Sequence, residues 1–139
     1  MITHNYVLGL DVGSKRIGIA IASLTARIAK PLTTLPNDDK FYKELKAIIK
    51  EENVSVLVIG LPRGLRGQDT EQTKFTKEFT QKLTTKIPLP VHLIDEALTS
   101  KQAEAELRKK RKTYKKADID ALAATYILDD WLADLTEAI

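Results

Sequence analysis

Apolar residues form three short strand-like stretches at the beginning of the chain. Residues 6–11 and 17–22 are mostly apolar, and the Gly-containing turn between them, residues 12–16, predicts a β-hairpin. A third and weaker stretch covers residues 28–35 and contains Pro31. Proline cannot donate a backbone hydrogen bond, so this strand suits the edge of a sheet. The beginning of the chain therefore predicts three antiparallel strands.

Helical and strand-like patterns alternate along the rest of the chain. Apolar residues spaced three or four apart predict helices over residues 39–52, from Asp69 onward, and over residues 117–135. The β-branched run 54–59 predicts a buried parallel strand, and residues 91–94 predict another. Alternation of this kind builds sheets with helices on their faces. The sequence therefore predicts an α/β fold with a five-stranded mixed sheet.

Polar residues and glycines indicate where several elements begin or end. The turn-forming residues 60–64 predict the end of the fourth strand. Asp69 with Gln72 predicts the start of the second helix, because a side chain at each position can bond the first helical turn. Thr99 with Gln102 predicts a further helix, which runs into a strongly basic segment.

The composition narrows the possible chemistry. A length of 139 residues predicts one domain over residues 1–139. The chain has no cysteine and two histidines, which excludes disulfides, cysteine–zinc sites and sites with several histidines. A metal would need oxygen ligands, which suits Mg²⁺ or Mn²⁺. No apolar run reaches the ~20 residues of a membrane span. We therefore expect a soluble, cytoplasmic protein with no membrane partner.

Charge is distributed unevenly over the last forty or so residues. Residues 101–116 contain eight basic and two acidic side chains, whereas residues 117–139 contain six acidic and no basic ones. Two interpretations fit this pattern: an ordinary solvated surface, or a nucleic-acid contact beside a cation-binding carboxylate site. The basic side chains that we consider for nucleic acid are Arg108, Lys109, Arg111 and Lys112.

Acidic residues occur at places that one edge of the sheet could bring together. Asp11 ends the first strand, and Asp95 and Glu96 follow the last one. Ligands of open α/β sheets bind beyond the carboxyl ends of the strands. Neighbouring strand residues point to opposite faces, so we expect one of Asp95 and Glu96 to reach such a site. On a helical wheel Asp120 lies inside the apolar arc of the last helix and Asp118 lies outside it.

Each acid also has an ordinary structural role available. Asp11 could cap the turn after its strand, Glu96 could pair with a lysine, and Asp120 could be a favourable acid in a first helical turn. A carboxylate on a buried helix face is nevertheless costly unless it is paired or bound to a metal. The convergence of three separate segments on one edge favours a shared site.

Four segments together resemble the YqgF family, also called RuvX-like, a family of bacterial Holliday-junction resolvases and pre-16S rRNA nucleases. The segments are residues 10–20, 60–62, 95–100 and 120–124, and they occur in the family's order over nearly the whole chain. The combination is specific, although no single motif is. The resemblance implies a ribonuclease-H-like fold and a Mg²⁺- or Mn²⁺-dependent nuclease.

The resemblance also implies which residues act. It assigns catalysis and metal binding to Asp11, Glu96 and Asp120, which are the acids selected from strand ends and the helical wheel. Two divalent cations held by such acids can stabilise both the attacking and the leaving oxygen of a phosphodiester. Ala97 stands where the family usually has Arg, so we expect a different contact with the substrate at this point.

Several basic residues near the predicted edge are candidates for phosphate contacts. Lys15 and Arg16 lie in the first turn, which could equally be an ordinary hairpin turn. Arg63 and Arg66 lie in a Gly-rich loop at the end of another strand. Contacts of this kind position a nucleic-acid backbone without reading its sequence.

We expect processing of the 5′ end of pre-16S rRNA in ribosome biogenesis, with an rRNA precursor as partner. The alternatives are a Holliday junction resolvase acting on branched DNA and a non-catalytic RNA-binding assembly factor, to which Ala97 lends slight support. Residues 9–13 also resemble the phosphate loop of actin-like ATPases, but these need two such domains. The oligomeric state, monomer or homodimer, stays open, because junction cleavage asks for a dimer and trimming of one strand does not.

Overall fold

A five-stranded mixed sheet organises the molecule. The computed structural model describes residues 5–96 and 116–137. The strand order is β3-β2-β1-β4-β5, in which β1, β2 and β3 are antiparallel and β1, β4 and β5 are parallel. The strands are β1 Tyr6–Val12, β2 Arg16–Ser23, β3 Ala29–Pro36, β4 Val54–Pro62 and β5 Val91–Glu96. The predicted hairpin, mixed sheet and edge position of β3 are confirmed.

Three helices in the described ranges cover the two faces of the sheet. They are α1 Phe41–Glu51, α2 Glu71–Lys86 and α3 Lys116–Glu137. Helices α1 and α2 pack on one face, and α3 packs across the other. In the ranges described, no helix is both long and apolar enough to cross a membrane. The helix predicted from Thr99 and most of the basic segment lie outside the described residues.

Side chains alternate along β1, so neighbouring residues lie on opposite faces of the sheet. Leu8, Leu10 and Val12 are buried against the core beneath α1 and α2, whereas Val7 belongs to the core beneath α3. Asp11 has the same parity along the strand as Val7, so its side chain lies on the α3 face. The central strand thus places one carboxylate between the sheet and α3.

Strand β4 extends further than the sequence predicts. We expected residues 60–64 to form a turn, but β4 continues through Pro62. The reason is its parallel partner: Leu61 pairs with Asp95, and Pro62 pairs with Glu96. Gly60 is therefore a strand residue on which α3 packs, because a Cβ at this position would collide with Ile127.

Helix α2 begins with a different cap from the predicted one. Thr70 is the N-cap residue, and it exchanges hydrogen bonds with Thr73 in a capping box. The prediction of Asp69 with Gln72 is wrong by one residue. Asp69 instead accepts hydrogen bonds from the side chains of Arg63 and Lys77, so its carboxylate does not cap the helix.

Candidate active site

Asp11 is a partly buried carboxylate on the central strand, facing α3. Its pKa is raised from 3.8 to about 7. The first cause is burial, which removes water from the charged form, and the second is the nearby negative charge of Asp120. Asp11 and Asp120 therefore interact, although 109 positions separate them in the sequence. A cation between the two carboxylates would favour their charged forms and offset their mutual repulsion.

The first turns of α3 pack directly on β2, and this packing brings Asp120 close to Asp11. Gly18 pairs with Asp11 across the hairpin, and a Cβ built on Gly18 would collide with the backbone carbonyl of Asp120. Only a residue without a side chain permits this close approach. The side chain of Asp120 is 21% exposed, whereas Asp118 is an exposed residue. The contrast predicted from the helical wheel is confirmed.

Arg16 forms an ion pair with Asp120. Its Nε donates a hydrogen bond to Oδ2 of Asp120 over 2.9 Å. Arg16 is the first residue of β2, immediately after the hairpin turn. The sequence suggested a phosphate contact for Arg16 but contained no sign of this pairing, because the two residues are distant in the chain.

Glu96 ends β5 on the same face as Asp11. Its Cγ would lie 3.5 Å from a Cβ built on Gly60, and that Cβ would also touch Ile127 of α3. One carboxylate oxygen of Glu96, Oε1, is buried. Asp95, in contrast, has a side chain that is 68% exposed and that pairs with Arg63. The two neighbouring acids point to opposite faces, as expected from the strand geometry.

The side chains at this edge offer oxygen donors suited to Mg²⁺ or Mn²⁺. Asp11 and Asp120 interact, and Glu96 lies on the same face beyond Gly60. Among residues 5–96 and 118–135, no three His, Cys, Asp or Glu side chains form a complete group for one metal ion. The donor chemistry thus fits a hard divalent cation, with the Asp11–Asp120 pair as its centre.

Arg63 fastens the end of β5 to the end of β4. Its backbone N–H donates to the carbonyl of Glu96 over 3.0 Å, and its Nε donates to Asp95 over 3.1 Å. Its Nη1 donates to Asp69, which also accepts a hydrogen bond from Lys77. The guanidinium of Arg63 therefore contacts two carboxylates, and its phosphate contact stays a prediction.

Helix α2 is anchored to the same edge by the side chains of Gln72 and Thr73, and the sequence pattern indicated neither contact. Nε2 of Gln72 donates to the carbonyl of Val12 over 3.0 Å. The hydroxyl of Thr73 donates to the carbonyl of Pro62. The start of α2 is thus tied to the carboxyl ends of β1 and β4. The Thr70–Thr73 spacing is the sequence signal that could have located this anchor.

The hairpin turn is held by one backbone bond within it and by two hydrogen bonds from Asn37, which follows β3. The N–H of Gly13 donates to the carbonyl of Arg16, and Asn37 donates to the carbonyls of Gly13 and Lys15. Lys15 is exposed in this turn, and Arg66 is exposed in the loop after β4. Phosphate binding by these two residues stays a prediction, and Arg108, Lys109, Arg111 and Lys112 lie outside the described residues.

Comparisons with solved structures agree with this architecture. Thermus thermophilus RuvC in complex with a Holliday junction substrate aligns with a TM-score of 0.56 at 15% identity, covering 94% of this chain and 96% of that one. The fowlpox virus resolvase bound to Holliday junction DNA aligns with a TM-score of 0.52 at 15% identity, covering 94% and 98%. At such low identity the likeness concerns the fold. The expected ribonuclease-H-like fold is confirmed.

Sequence comparisons give the family. A relative from Sulfurihydrogenibium sp. (strain YO3AOP1) is 41% identical over 132 residues, which are 94% of this chain and 91% of the relative. Another, from Crocosphaera subtropica, is 44% identical over 129 residues, 90% of each chain. Both carry the name "Putative pre-16S rRNA nuclease". The family model RuvX, described as Holliday junction resolvase, matches residues 5–134, and the chain therefore belongs to the RuvX family.

Proposed function

We propose that this protein is a metal-dependent nuclease that hydrolyses phosphodiester bonds in the 5′ region of pre-16S rRNA. The observation that carries the proposal is the pair of interacting carboxylates, Asp11 and Asp120, at the carboxyl edge of a ribonuclease-H-like sheet. Membership of the RuvX family and the names of the relatives support the substrate class.

The proposed site binds metal through three acids: Asp11, Glu96 and Asp120. Asp11 would be the central ligand, because it lies on β1, the middle strand of the sheet, and interacts with Asp120. Asp120 on α3 and Glu96 on β5 would supply further oxygen ligands to the divalent cations. When bound, divalent cations would make a water nucleophilic and would stabilise the leaving oxygen. Arg16 orients Asp120, and Arg63 fixes the strand end that carries Glu96.

Contacts with the nucleic-acid backbone are proposed for basic side chains around the same edge. Each neutralised phosphate releases counterions, so these contacts make binding weaker as salt increases. Single-strand cleavage needs one copy of the site, so this function places no demand for a dimer. The proposed contacts are Lys15, Arg16, Arg63, Arg66, Arg108, Lys109, Arg111 and Lys112.

A cleavage assay with two substrates tests the proposal. Purified protein is offered a pre-16S rRNA leader fragment and a four-way DNA junction, each with Mg²⁺, Mn²⁺ or EDTA. We expect metal-dependent cleavage of the RNA, and loss of cleavage in Asp11→Asn. Preferred cleavage of the junction would instead assign a resolvase activity.

The same assay separates the enzyme from a binding factor. RNA binding without cleavage under any metal condition would favour a non-catalytic assembly role. Metal-dependent cleavage that persists in Asp11→Asn would overturn the proposed site.

A further inference from the structure

Within the described part of the chain, Arg16 contacts Asp120 through one part of its guanidinium. Nε donates to Oδ2 of Asp120 over 2.9 Å. Within residues 5–96 and 118–135, Nη1 and Nη2 of Arg16 donate no hydrogen bond. The Arg16 side chain as a whole is 37% exposed, so part of it faces solvent. A guanidinium has five N–H donors in a rigid plane, and four of them belong to the terminal nitrogens.

The ion pair is a poor candidate for a purely structural device. Partly exposed ion pairs contribute little to stability, because solvent screens them and because ordering two side chains costs entropy. Arg16 nevertheless meets the very carboxylate whose charge acts on Asp11. Its charge therefore lies at the centre of the candidate site, where a substrate phosphate would arrive.

The position of Arg16 also suits an incoming phosphodiester. It begins β2 directly after the exposed turn residue Lys15, and Gly18 two residues later pairs with Asp11. Planar guanidinium groups recognise phosphate oxygens through two parallel N–H donors, and they can meet a carboxylate at the same time. A lysine ammonium is a single point charge and lacks this double geometry.

We propose that Arg16 bridges Asp120 and a non-bridging phosphate oxygen of the substrate. Nε keeps Asp120 oriented for its metal, while the terminal nitrogens receive the phosphate of the bond to be cleaved. One side chain thereby sets the position of the phosphate relative to the acids. This role deepens the proposed function and rests on it, since it assigns the residue that aligns substrate and site.

Two substitutions at position 16 separate the two contacts. Arg16→Gln removes the charge, so both contacts weaken. Arg16→Lys keeps the charge for attraction of the backbone but cannot serve the carboxylate and the phosphate together. Lys30→Gln is the matched control, because Lys30 is an exposed cation on the outer strand β3. This control measures how RNA binding changes when one positive charge is removed from the outer strand.

The first measurement is binding of a single-stranded RNA, without divalent metal, across a salt series. All variants carry Asp11→Asn so that nothing is cleaved. We expect Arg16→Gln to weaken binding about tenfold and to flatten the log K against log[salt] slope by roughly 0.7, the value for one single-strand phosphate contact. Arg16→Lys should keep the slope. An unchanged slope in Arg16→Gln, or an equal change in Lys30→Gln, would overturn the phosphate contact.

The second measurement is cleavage with Mg²⁺ in the otherwise wild-type protein. We expect Arg16→Lys to lower kcat about tenfold or more while KM changes less than about threefold, because positioning is lost and attraction is kept. A kcat equal to that of the wild type would overturn the bridge. Thermal unfolding of each variant verifies folding, since a purely structural role would lower Tm and leave the RNA salt slope unchanged.

Failure of the proposed function gives a different result from failure of the bridge. If the wild type cleaves no substrate, the nuclease assignment fails, while the salt series still decides whether Arg16 meets a phosphate. If the wild type cleaves and both Arg16 variants match it in kcat and salt slope, only the bridge is wrong.

Discussion

Replacing Asp11 with asparagine should abolish cleavage and should make the metal-free protein more stable. Asparagine has nearly the shape of a protonated aspartate and carries no charge. It therefore removes the two causes of the raised pKa of Asp11, which are burial of a charge and the proximity of Asp120. Two like charges that the fold brings together repel each other. An ionised Asp11 therefore lowers the free energy of unfolding.

The size and the pH dependence of this gain follow from the pKa. A shift from 3.8 to about 7 is roughly three units, and each unit corresponds to about 1.36 kcal/mol. As pH rises through 4, the unfolded chain loses this proton first, so the stability of the wild type falls until the folded carboxyl also ionises near pH 7. Allowing for solvent screening, Asp11→Asn should be more stable by about 2–4 kcal/mol at pH 8 and by less than about 1 kcal/mol at pH 4.

Urea unfolding of both proteins in EDTA at pH 4, 6 and 8 measures this difference. Asp118→Asn is the matched control, because it removes an exposed acid of the same helix that carries Asp120. Mg²⁺ added at 100 times its dissociation constant should stabilise the wild type by about 2.7 kcal/mol and Asp11→Asn by much less. A gain that does not change with pH, or a less stable Asp11→Asn at pH 8, would refute the reasoning.

Further variants test the remaining acids, the packing at Gly18 and the proposed cationic contacts. Asp120→Asn should lower kcat at least about 100-fold and Asp118→Asn less than about threefold, since only the first contacts the site; equal losses in the cleavage assay would refute this. Gly18→Ala should cost about 1–3 kcal/mol in urea unfolding, because its methyl group meets the Asp120 carbonyl, and an unchanged midpoint would contradict the close packing. Arg63→Gln should lower kcat more than RNA affinity if Arg63 positions the end of β5, whereas a flattened salt slope would indicate a phosphate contact. A variant with serine at four cations of the basic segment should flatten the RNA salt slope by about three; the residues are Arg108, Lys109, Arg111 and Lys112. An unchanged slope would mean that these side chains are solvated and contact no phosphate.

The local pattern of the sequence was sufficient for the order and type of the described elements. Hydrophobic periodicity depends on which face of a strand or helix is buried, and that information is present in a few neighbouring residues. The hairpin, the edge strand with Pro31, the parallel strands and the last helix could all be predicted for this reason. Side-chain alternation likewise separated Asp95 from Glu96, and the helical wheel separated Asp120 from Asp118.

Element boundaries depended on partners that the local pattern does not contain. Strand β4 runs past Gly60 because β5 lies beside it and supplies hydrogen bonds as far as Pro62. Helix α2 begins at Thr70 because Asp69 is engaged by Arg63 and Lys77. A glycine or an acid in isolation predicts a turn or a cap, but its neighbours in space decide which structure has the lower free energy.

The electrostatics of the candidate site were decided by the tertiary structure alone. The sequence presents Asp11, Arg16 and Asp120 as three separate charged residues, and nothing local indicates that Arg16 pairs with Asp120. The pairing and the raised pKa of Asp11 exist because Gly18 lets α3 lie directly on the hairpin. Coulomb energy depends on distance and on exclusion of water, and both are properties of the folded chain. The sequence by itself determined which residues can carry charge, and the fold determined which of those charges act on one another.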